Sequence, residues 1–446
     1  MQEYLSFIDL IVPIIFLVVI YLIAKKKQLL NIETNSSYKY YMYGLAVKIF
    51  GGIAVCLVYA LYYGYGDTLN YFNDCVVLLN LGEKSIFNIS NYILGPNTDL
   101  YYELDNKTGY FQYFLDPHAR AVVKLTVLLC FASFKSFIGM TILLAYISYW
   151  AIWRLYQALI VEFPKLIWEF AVALLFIPSV FFWGSGLLKD TITFAAVCLY
   201  SSSYLIILTK KKSYIKNIFF IILSSVLLIW IKPYIFFALL PGSILWFGGI
   251  QLERVNNNLI KSLSTPFLIT FSLVCGYLML NLMSGFLGDY SLDNVLDKAV
   301  TTQMDLKSEH YQGSAFDIGD FDPTISGILS KMPAAINAAL FRPYVWETYN
   351  ITMFLSGIEN LIMLGFTIYL LIKLKIYNLF RLMFRHRILF FTVYFSLFFS
   401  FSVGLTTSNF GSLVRYKIPA IPFYVISLII ISSSYKELLE EEAKKY

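Results

Sequence analysis

The sequence predicts an all-α, polytopic integral membrane protein, and its composition is the first reason. Of its 446 residues, 59% are hydrophobic and only 14% are charged, whereas a soluble domain carries roughly 25% charged residues. Phe and Tyr, with 39 and 35 copies, are as abundant as expected for aromatic belts at the two membrane surfaces. A chain with this much apolar surface requires a bilayer around it.

The second reason is the length of the apolar runs. A helix that crosses a bilayer needs about 20 mostly apolar residues, and about eleven runs approach that length. Lysines follow the first run, at residues 25–27, and further lysines lie at 210–212. Because basic loops stay cytoplasmic, the N-terminus is predicted outside and the C-terminus inside. The predicted spans are residues 6–24, 42–63, 136–156, 166–184, 187–209, 217–231, 235–250, 266–287, 351–374, 388–405 and 418–433.

Two long polar segments separate the spans within what we predict to be a single transmembrane domain, residues 1–446. Residues 64–120 and 288–350 are predicted as the first and second large external loops. Each contains a stretch with helical apolar spacing, at 68–82 and 325–341, that predicts an amphipathic helix lying on the membrane surface. Residues 121–134 are too short to span, and the sequence leaves open whether they form a half-helix or an interfacial helix.

The polar residues of interest lie at the edges of predicted spans. Asp67 stands in GYGDTLNY, residues 64–71, and Lys189 with Asp190 end WGSGLLKD, residues 183–190. We expect these two edges to face each other across one cleft at the outer membrane surface. Each cation also has a purely structural alternative, because basic side chains at helix ends commonly extend to the membrane surface. Further candidates on the same predicted side are Tyr71, Lys232, Arg342, Glu347 and Arg415.

This set of residue types suits the transfer of a sugar from a lipid phosphate. Lysine and arginine bind phosphate, and a carboxylate can accept the proton of an attacking sugar hydroxyl. Asp67 is the candidate general base, and Asp190 is its partner or a metal ligand. The candidate phosphate and substrate ligands are Lys189, Lys232, Arg342, Arg415, Tyr71 and Glu347.

Other chemistries find less support in the sequence. The three histidines lack the spacing of a zinc hydrolase, and no phosphate-binding glycine loop follows a strand. We expect no dedicated metal site, although the use of a divalent cation stays open. The five cysteines show no CxxC spacing, so a disulfide framework is not expected. A net charge of +6 requires no nucleic-acid partner.

Several of these motifs resemble those of a known class of enzymes. GDTLNY, placed after an early span, resembles the first outer loop of GT-C-type membrane glycosyltransferases, and their catalytic carboxylate would correspond to Asp67. IPSVFFWGSGLLKD, FRPYVWE and GSLVRYKIPAIPF resemble bacterial polysaccharide polymerases and lipid-linked glycosyltransferases. The first loop differs in lacking paired acids, since the next acid after Asp67 is Asp74.

The resemblance implies a GT-C-like fold in the bacterial inner membrane and a role in cell-envelope polysaccharide or glycoconjugate synthesis. The implied partners are a polyprenyl-(pyro)phosphate-linked sugar donor, a saccharide or lipid acceptor, and membrane lipids. Three alternatives remain open at this point. A repeat-unit polymerase shares the chemistry. A flippase or other transporter would use Lys48, Lys124 or Glu169, which lie in or near apolar runs. A scaffold subunit of an envelope complex needs no site.

Overall fold

The computed structural model describes most of the chain, including nearly all the predicted spans. Most of the predicted span 266–287 and most of the acidic segment 288–323 lie outside the described residues. Secondary structure in the described part is helical apart from one antiparallel bridge between Ala315 and Asn409. The described residues are 6–95, 99–210, 213–253, 267, 270, 271, 274, 300–304, 315–322, 324–374, 378, 379, 382, 383 and 386–444.

The helices are numbered here in chain order. In the first half they are α1 Ile8–Ile32, α2 Tyr41–Leu57, α3 Asp67–Lys84, α4 Ile86–Leu94, α5 Pro117–Ala132, α6 Phe137–Glu162, α7 Ile167–Ala171, α8 Pro178–Trp183, α9 Lys189–Lys210, α10 Tyr214–Ile231 and α11 Pro233–Glu253. In the second half they are α12 Ile325–Ser330, α13 Met332–Phe341, α14 Ile351–Lys373, α15 Arg387–Thr406, α16 Phe410–Tyr416 and α17 Ala420–Ala443. Two π-helical turns, Val58–Tyr63 and Val172–Phe176, continue α2 and α7.

Nine helices of the described chain are long and apolar enough to cross a membrane, judged by length and composition. They confirm the all-α prediction and fit a multi-pass membrane protein. The outer faces of α1, α10 and α14 carry many exposed aliphatic and aromatic side chains, as expected where a helix contacts lipid. The nine are Ile8–Ile32, Ser36–Tyr63, Phe137–Glu162, Lys189–Thr209, Tyr214–Ile231, Pro233–Gln251, Ile351–Lys373, Ile388–Thr406 and Ala420–Glu441.

One predicted span is not a continuous helix. Residues 166–184 form the short helix α7, a π-helical turn and then α8, with Pro178 as the first residue of α8. Proline has no backbone N–H and restricts the residue before it, which favours a break here, although α1 and α11 continue through Pro13 and Pro241. Interrupted helices occur in transporters, and the sequence alone had not revealed this one.

The chain forms two compact units. The described residues of Met1–Phe176, Val180–Ser202 and Val226–Lys232 form the first unit. Those of Ile177–Ser179, Ser203–Ser225 and Pro233–Tyr446 form the second. In the first unit, α6 packs against α1, α2 and α5, and α3 packs against α4 and α5. In the second unit, α15 packs against α11, α13 and α17.

The two predicted surface helices each pack against other helices of the protein. Helix α3 buries Leu69, Phe72 and Leu79, and its neighbours are α4 and α5. Helix α13 lies against α15 so closely that a Cβ on Gly404 would stand 1.9 Å from the carbonyl oxygen of Ala335. Part of each apolar face is therefore covered by protein, while Leu329 and Met332 remain 52% and 37% exposed. Residues 121–134 belong to α5, which packs on α3 and α6.

Candidate functional site

One face of α2 packs against the segment that leads to Lys189 and Asp190. A Cβ on Gly51 would lie 2.1 Å from the carbonyl oxygen of Phe181, so only glycine permits this approach. The buried Lys48 ammonium, one helical turn earlier, donates a hydrogen bond to the carbonyl oxygen of Gly184. Lysine suits this place because Gly184 follows the C-terminal end of α8, where carbonyl oxygens lack helical partners. Helix α2, which precedes Asp67, thus also contacts the segment that precedes Lys189.

Two glycines turn the chain from α2 into α3. Gly64 and Gly66 adopt φ angles of +72° and +124°, a region that favours glycine. A Cβ on Gly66 would also meet the ring of Tyr59 at 2.6 Å. The turn makes Asp67 the first residue of α3. A carboxylate is favourable there because the N-terminal end of a helix carries partial positive charge.

The Asp67 carboxylate is half-buried and is held by a neighbouring tyrosine. The Tyr113 hydroxyl donates to Asp67 Oδ1 at 2.8 Å, and Asn70 Nδ2 donates to the same hydroxyl at 3.3 Å. Tyr71, a predicted substrate ligand, is buried, and its ring lies 5.0 Å from that of Tyr113. In this structure Tyr71 therefore supports Tyr113 rather than facing a substrate.

Asp74 fixes the loop that presents Tyr113. It is fully buried, and its two oxygens accept the backbone N–H groups of Gln112 at 2.7 Å and Tyr113 at 3.0 Å. Burial raises the pKa of Asp74 to about 6, although the two hydrogen bonds favour the charged form. Asp74 is thus a positioning carboxylate rather than a second catalytic acid.

Lys189, from the predicted polar edge at residues 183–190, forms an ion pair with Asp116. Lys189 begins α9, and its ammonium lies 3.2 Å from Asp116 Oδ2. The charges of Asp116, Lys232 and Asp67 all act on that ammonium. Asp116 also caps α5 by accepting the backbone N–H groups of His118 and Ala119. Partial burial raises the pKa of Asp116, but Lys189 and these N–H groups outweigh burial, so the pKa is below its usual value.

A buried ion pair stands beside Lys189. Lys232 Nζ lies 2.6 Å from Asp190 Oδ1, and their side chains are only 8% and 1% exposed. Lys232 occupies the short connection between α10 and α11. We call the set of five, Asp67, Asp116, Lys189, Asp190 and Lys232, the polar cluster; all its members belong to the first unit.

The members of the polar cluster differ in how far a ligand could reach them. The side chains of Asp116 and Lys189 are 42% and 22% exposed, and Asp67 is half-buried. Asp190 is buried and paired with Lys232. Within the described part of the chain, no group of three or more His, Cys, Asp or Glu side chains could hold a metal ion. The accessible groups of the polar cluster are therefore the Lys189–Asp116 ion pair and the Asp67 carboxylate.

The remaining predicted residues lie in the second unit. Arg342 Nε donates to both carboxylate oxygens of Glu347 at 3.0 Å. The Arg342 guanidinium also lies over the rings of Phe316 and Phe410, at 4.9 and 5.3 Å. Arg342 and Glu347 thus neutralise each other. Arg415, near the end of α16, is half-buried.

A lysine that the sequence analysis did not single out is the most buried cation of this second group. Lys417 donates to Asn360 Oδ1 at 2.7 Å and to the carbonyl oxygen of Arg342 at 3.2 Å. Burial lowers the pKa of Lys417 to about 8, and the Glu359 charge opposes that shift. Lys417 ties the loop at Arg342 to α14.

Asp116, Tyr113 and Asp74 were also missed as parts of the site. For Asp116 a signal existed, since Asp followed by Pro117 is a typical start of a helix. No local signal marks Tyr113 or Asp74, because their roles depend on a contact between α3 and a loop distant in sequence.

The transporter candidates have local partners as well. Lys48 donates to Gly184, and Lys124 Nζ donates to the carbonyl oxygen of Ile93 at 3.0 Å. Glu169 lies half-buried in the first turn of α7.

The chain was compared with protein-family models, with curated proteins and with solved structures, and none of the three comparisons found a match. The resemblance to GT-C-type enzymes therefore remains an expectation drawn from short motifs.

Proposed function

We propose that this protein is a membrane glycosyltransferase that takes its sugar from a polyprenyl-(pyro)phosphate-linked donor. The observation that supports the proposal is that the half-buried Asp67 carboxylate belongs to the same compact unit as the Lys189–Asp116 ion pair, whose charged atoms lie 3.2 Å apart. A base and a phosphate-binding cation are the two groups that such a transfer requires. In this proposal the site faces the outside of a bacterial inner membrane, and the product enters cell-envelope polysaccharide or glycoconjugate.

The proposed reaction needs one proton acceptor and one stabiliser of negative charge. A hydroxyl oxygen of the acceptor attacks the anomeric carbon, and a carbon–oxygen bond forms there. The bond between that carbon and the phosphate oxygen breaks, and the lipid (pyro)phosphate leaves with the electron pair. The hydroxyl proton passes to the carboxylate. Lysine stabilises the charge that develops on the departing phosphate.

The polar cluster assigns these roles to particular residues. Asp67 is the base, and Tyr113 orients it through the 2.8 Å hydrogen bond. Lys189 is the phosphate ligand, and Asp116 positions it in the absence of donor. Asp190 and Lys232 form a buried support next to Lys189. Arg415, Arg342 and Glu347 remain candidate substrate ligands of the second unit, and in the structure Arg342 and Glu347 are paired with each other.

The test is transfer by the purified full chain in proteoliposomes that contain polyprenyl-phosphate-linked sugars extracted from its own host. Release of free polyprenyl phosphate reports turnover whatever the sugar. Asp67→Asn should reduce the rate by about 100-fold or more, the usual contribution of a general base. Lys189→Gln should weaken donor binding. Glu162→Gln, an exposed charge change at the end of α6, is the matched control. Full activity of a correctly inserted Asp67→Asn variant would refute the proposal.

Two alternatives give different results in the same vesicles. A repeat-unit polymerase would extend a lipid-linked oligosaccharide into a ladder of regularly spaced lengths. A transporter is favoured by one observation, the helix interrupted at Pro178. It would move lipid-linked sugar across the bilayer without releasing polyprenyl phosphate, and Asp67→Asn would not be expected to abolish that movement.

A further inference from the structure

A cavity lies at the opposite end of α2 from the polar cluster. Tyr41 begins α2, while Asp67 follows the last turn of the same span, Ser36–Tyr63. At 1.5 Å per residue that span is about 40 Å long, so the cavity and the cluster belong to opposite membrane surfaces. The cavity measures about 240 Å³ and is lined by Lys27, Tyr41, Tyr146, Ile147, Tyr149 and Trp150.

One side of the cavity is formed by buried tyrosines, and the side along α6 is exposed. Tyr41 and Tyr149 are almost fully buried, and the Tyr149 hydroxyl donates to the carbonyl oxygen of Tyr41 at 2.7 Å. Ile147 and Trp150 on α6 are 53% and 42% exposed. A ligand would therefore rest on rigid aromatic rings and remain open to the surroundings along α6.

Lys27 gives the cavity its charge. The side chain is partly buried, and its ammonium lies over the Tyr41 ring at 5.0 Å. Among the carboxylates that the structure describes, none forms an ion pair with Lys27. A partly buried cation without a counter-ion favours an external anion, because its own desolvation is not balanced.

The position of Lys27 along α1 indicates which anion is available. Asp9 fixes the other end of α1 by accepting hydrogen bonds from Ser136 Oγ at 2.7 Å and Ile138 N at 3.2 Å. Lys27 lies about 27 Å further along the helix axis, close to the roughly 30 Å thickness of the hydrocarbon core. The cavity thus lies where phospholipid headgroups meet acyl chains.

We propose that this cavity binds one anionic phospholipid, with its phosphate at Lys27 and the upper part of one acyl chain against Ile147 and Trp150. The volume supports partial rather than complete enclosure, because pockets that enclose drug-sized ligands measure roughly 300–1,000 Å³. This site is independent of the proposed transfer reaction, since its residues are distinct from those of the polar cluster.

The test is native mass spectrometry of the delipidated full chain, titrated with phosphatidylglycerol or phosphatidylcholine. The first phosphatidylglycerol should bind about fivefold more tightly than the first phosphatidylcholine. Both lipids carry the phosphate, but in phosphatidylcholine the choline cation offsets its charge, and this fold-change is what one lysine contributes near an anionic lipid. Lys27→Gln should abolish the preference, whereas Lys26→Gln, which removes an exposed neighbouring charge, should leave it intact. Ile147→Trp should reduce binding of phosphatidylglycerol by filling the cavity while keeping Lys27.

Three outcomes would overturn the proposal. The first is that wild-type protein shows no preference. The second is that Lys26→Gln and Lys27→Gln reduce the preference equally, which would indicate only general attraction to a basic surface. The third is that millimolar inorganic phosphate displaces the lipid, which would make a free anion the occupant.

Discussion

The buried ion pair of Asp190 and Lys232 allows a quantitative test of how the polar cluster is held together. The two charged atoms lie 2.6 Å apart, which corresponds to about 6 kcal/mol of Coulomb attraction at an effective dielectric constant of about 20. Against this stands the cost of removing both ions from water, several kcal/mol for each ion. The net contribution of the pair is therefore small, but the loss of one partner leaves the other charge buried and uncompensated.

We therefore expect a specific pattern in the free energy of unfolding. Asp190→Leu or Lys232→Met alone should lower it by about 3–5 kcal/mol. The double variant should be less destabilised than either single variant, because no buried charge remains. Lys232→Met should also reduce any donor binding at Lys189, since the supporting pair is lost.

The assay is denaturant unfolding of the purified protein in one detergent, followed by tryptophan fluorescence. An exposed ion pair of the same unit, Lys84 with Asp105 at 2.7 Å, is the control. The coupling energy between its two charges, taken from the single and double variants, should be no more than about 1 kcal/mol. If the effects of Asp190→Leu and Lys232→Met simply add in the double variant, the two charges are not coupled and the reasoning is wrong.

Three further predictions concern the packing and the buried charges. Gly51→Ala should lower the free energy of unfolding by about 1–3 kcal/mol or more, since its Cβ would meet the Phe181 carbonyl oxygen at 2.1 Å. Gly365→Ala is the control: nothing lies near its Cβ position, so the substitution should stabilise α14 by up to about 1 kcal/mol. Asp74 has a folded pKa of about 6, so the folded state keeps its proton to a higher pH than the unfolded state does. The free energy of unfolding should therefore fall by about 3 kcal/mol as the pH rises from 4 to 6. Melting temperatures measured over this pH range should show the fall in the wild type, and Asp74→Asn should remove it. Lys417 has a folded pKa of about 8, so the folded state loses its proton at a lower pH than the unfolded state does. The free energy of unfolding should therefore rise by about 3 kcal/mol between pH 8 and pH 10.5. An equal rise in Lys417→Met would show that Lys417 is not its source.

The spans were largely predictable because bilayer crossing depends on local composition. A helix in lipid must satisfy all its backbone groups within itself, so a long apolar run is enough to identify it. Nine of the eleven predicted runs overlap a candidate span of the described chain. The other two are 166–184 and 266–287. Residues 166–184 do not form one continuous helix, because a π-helical turn at Val172–Phe176 and a non-helical residue precede Pro178, and apolar composition alone does not indicate such a break.

The helices that pack against the two amphipathic helices could not be predicted from the amphipathic sequences themselves. An amphipathic pattern reports that one face is apolar, and both a membrane surface and a protein neighbour can cover such a face. For α3 the neighbours are α4 and α5. For α13, Gly404 provides the close contact, and nothing in residues 325–341 indicates that a glycine so far along the chain will receive them.

The sequence by itself determined the apolar spans, the turn at Gly64 and Gly66, and the presence of charged residues at helix edges. These properties depend on neighbouring residues only. The tertiary structure decided which charges meet. It paired Lys189 with Asp116, enclosed Asp190 with Lys232, and left Asp67 half-buried beneath Tyr113. Charge and hydrogen bonding act over a few ångströms in space, and only the packing of distant helices brings these residues within that range.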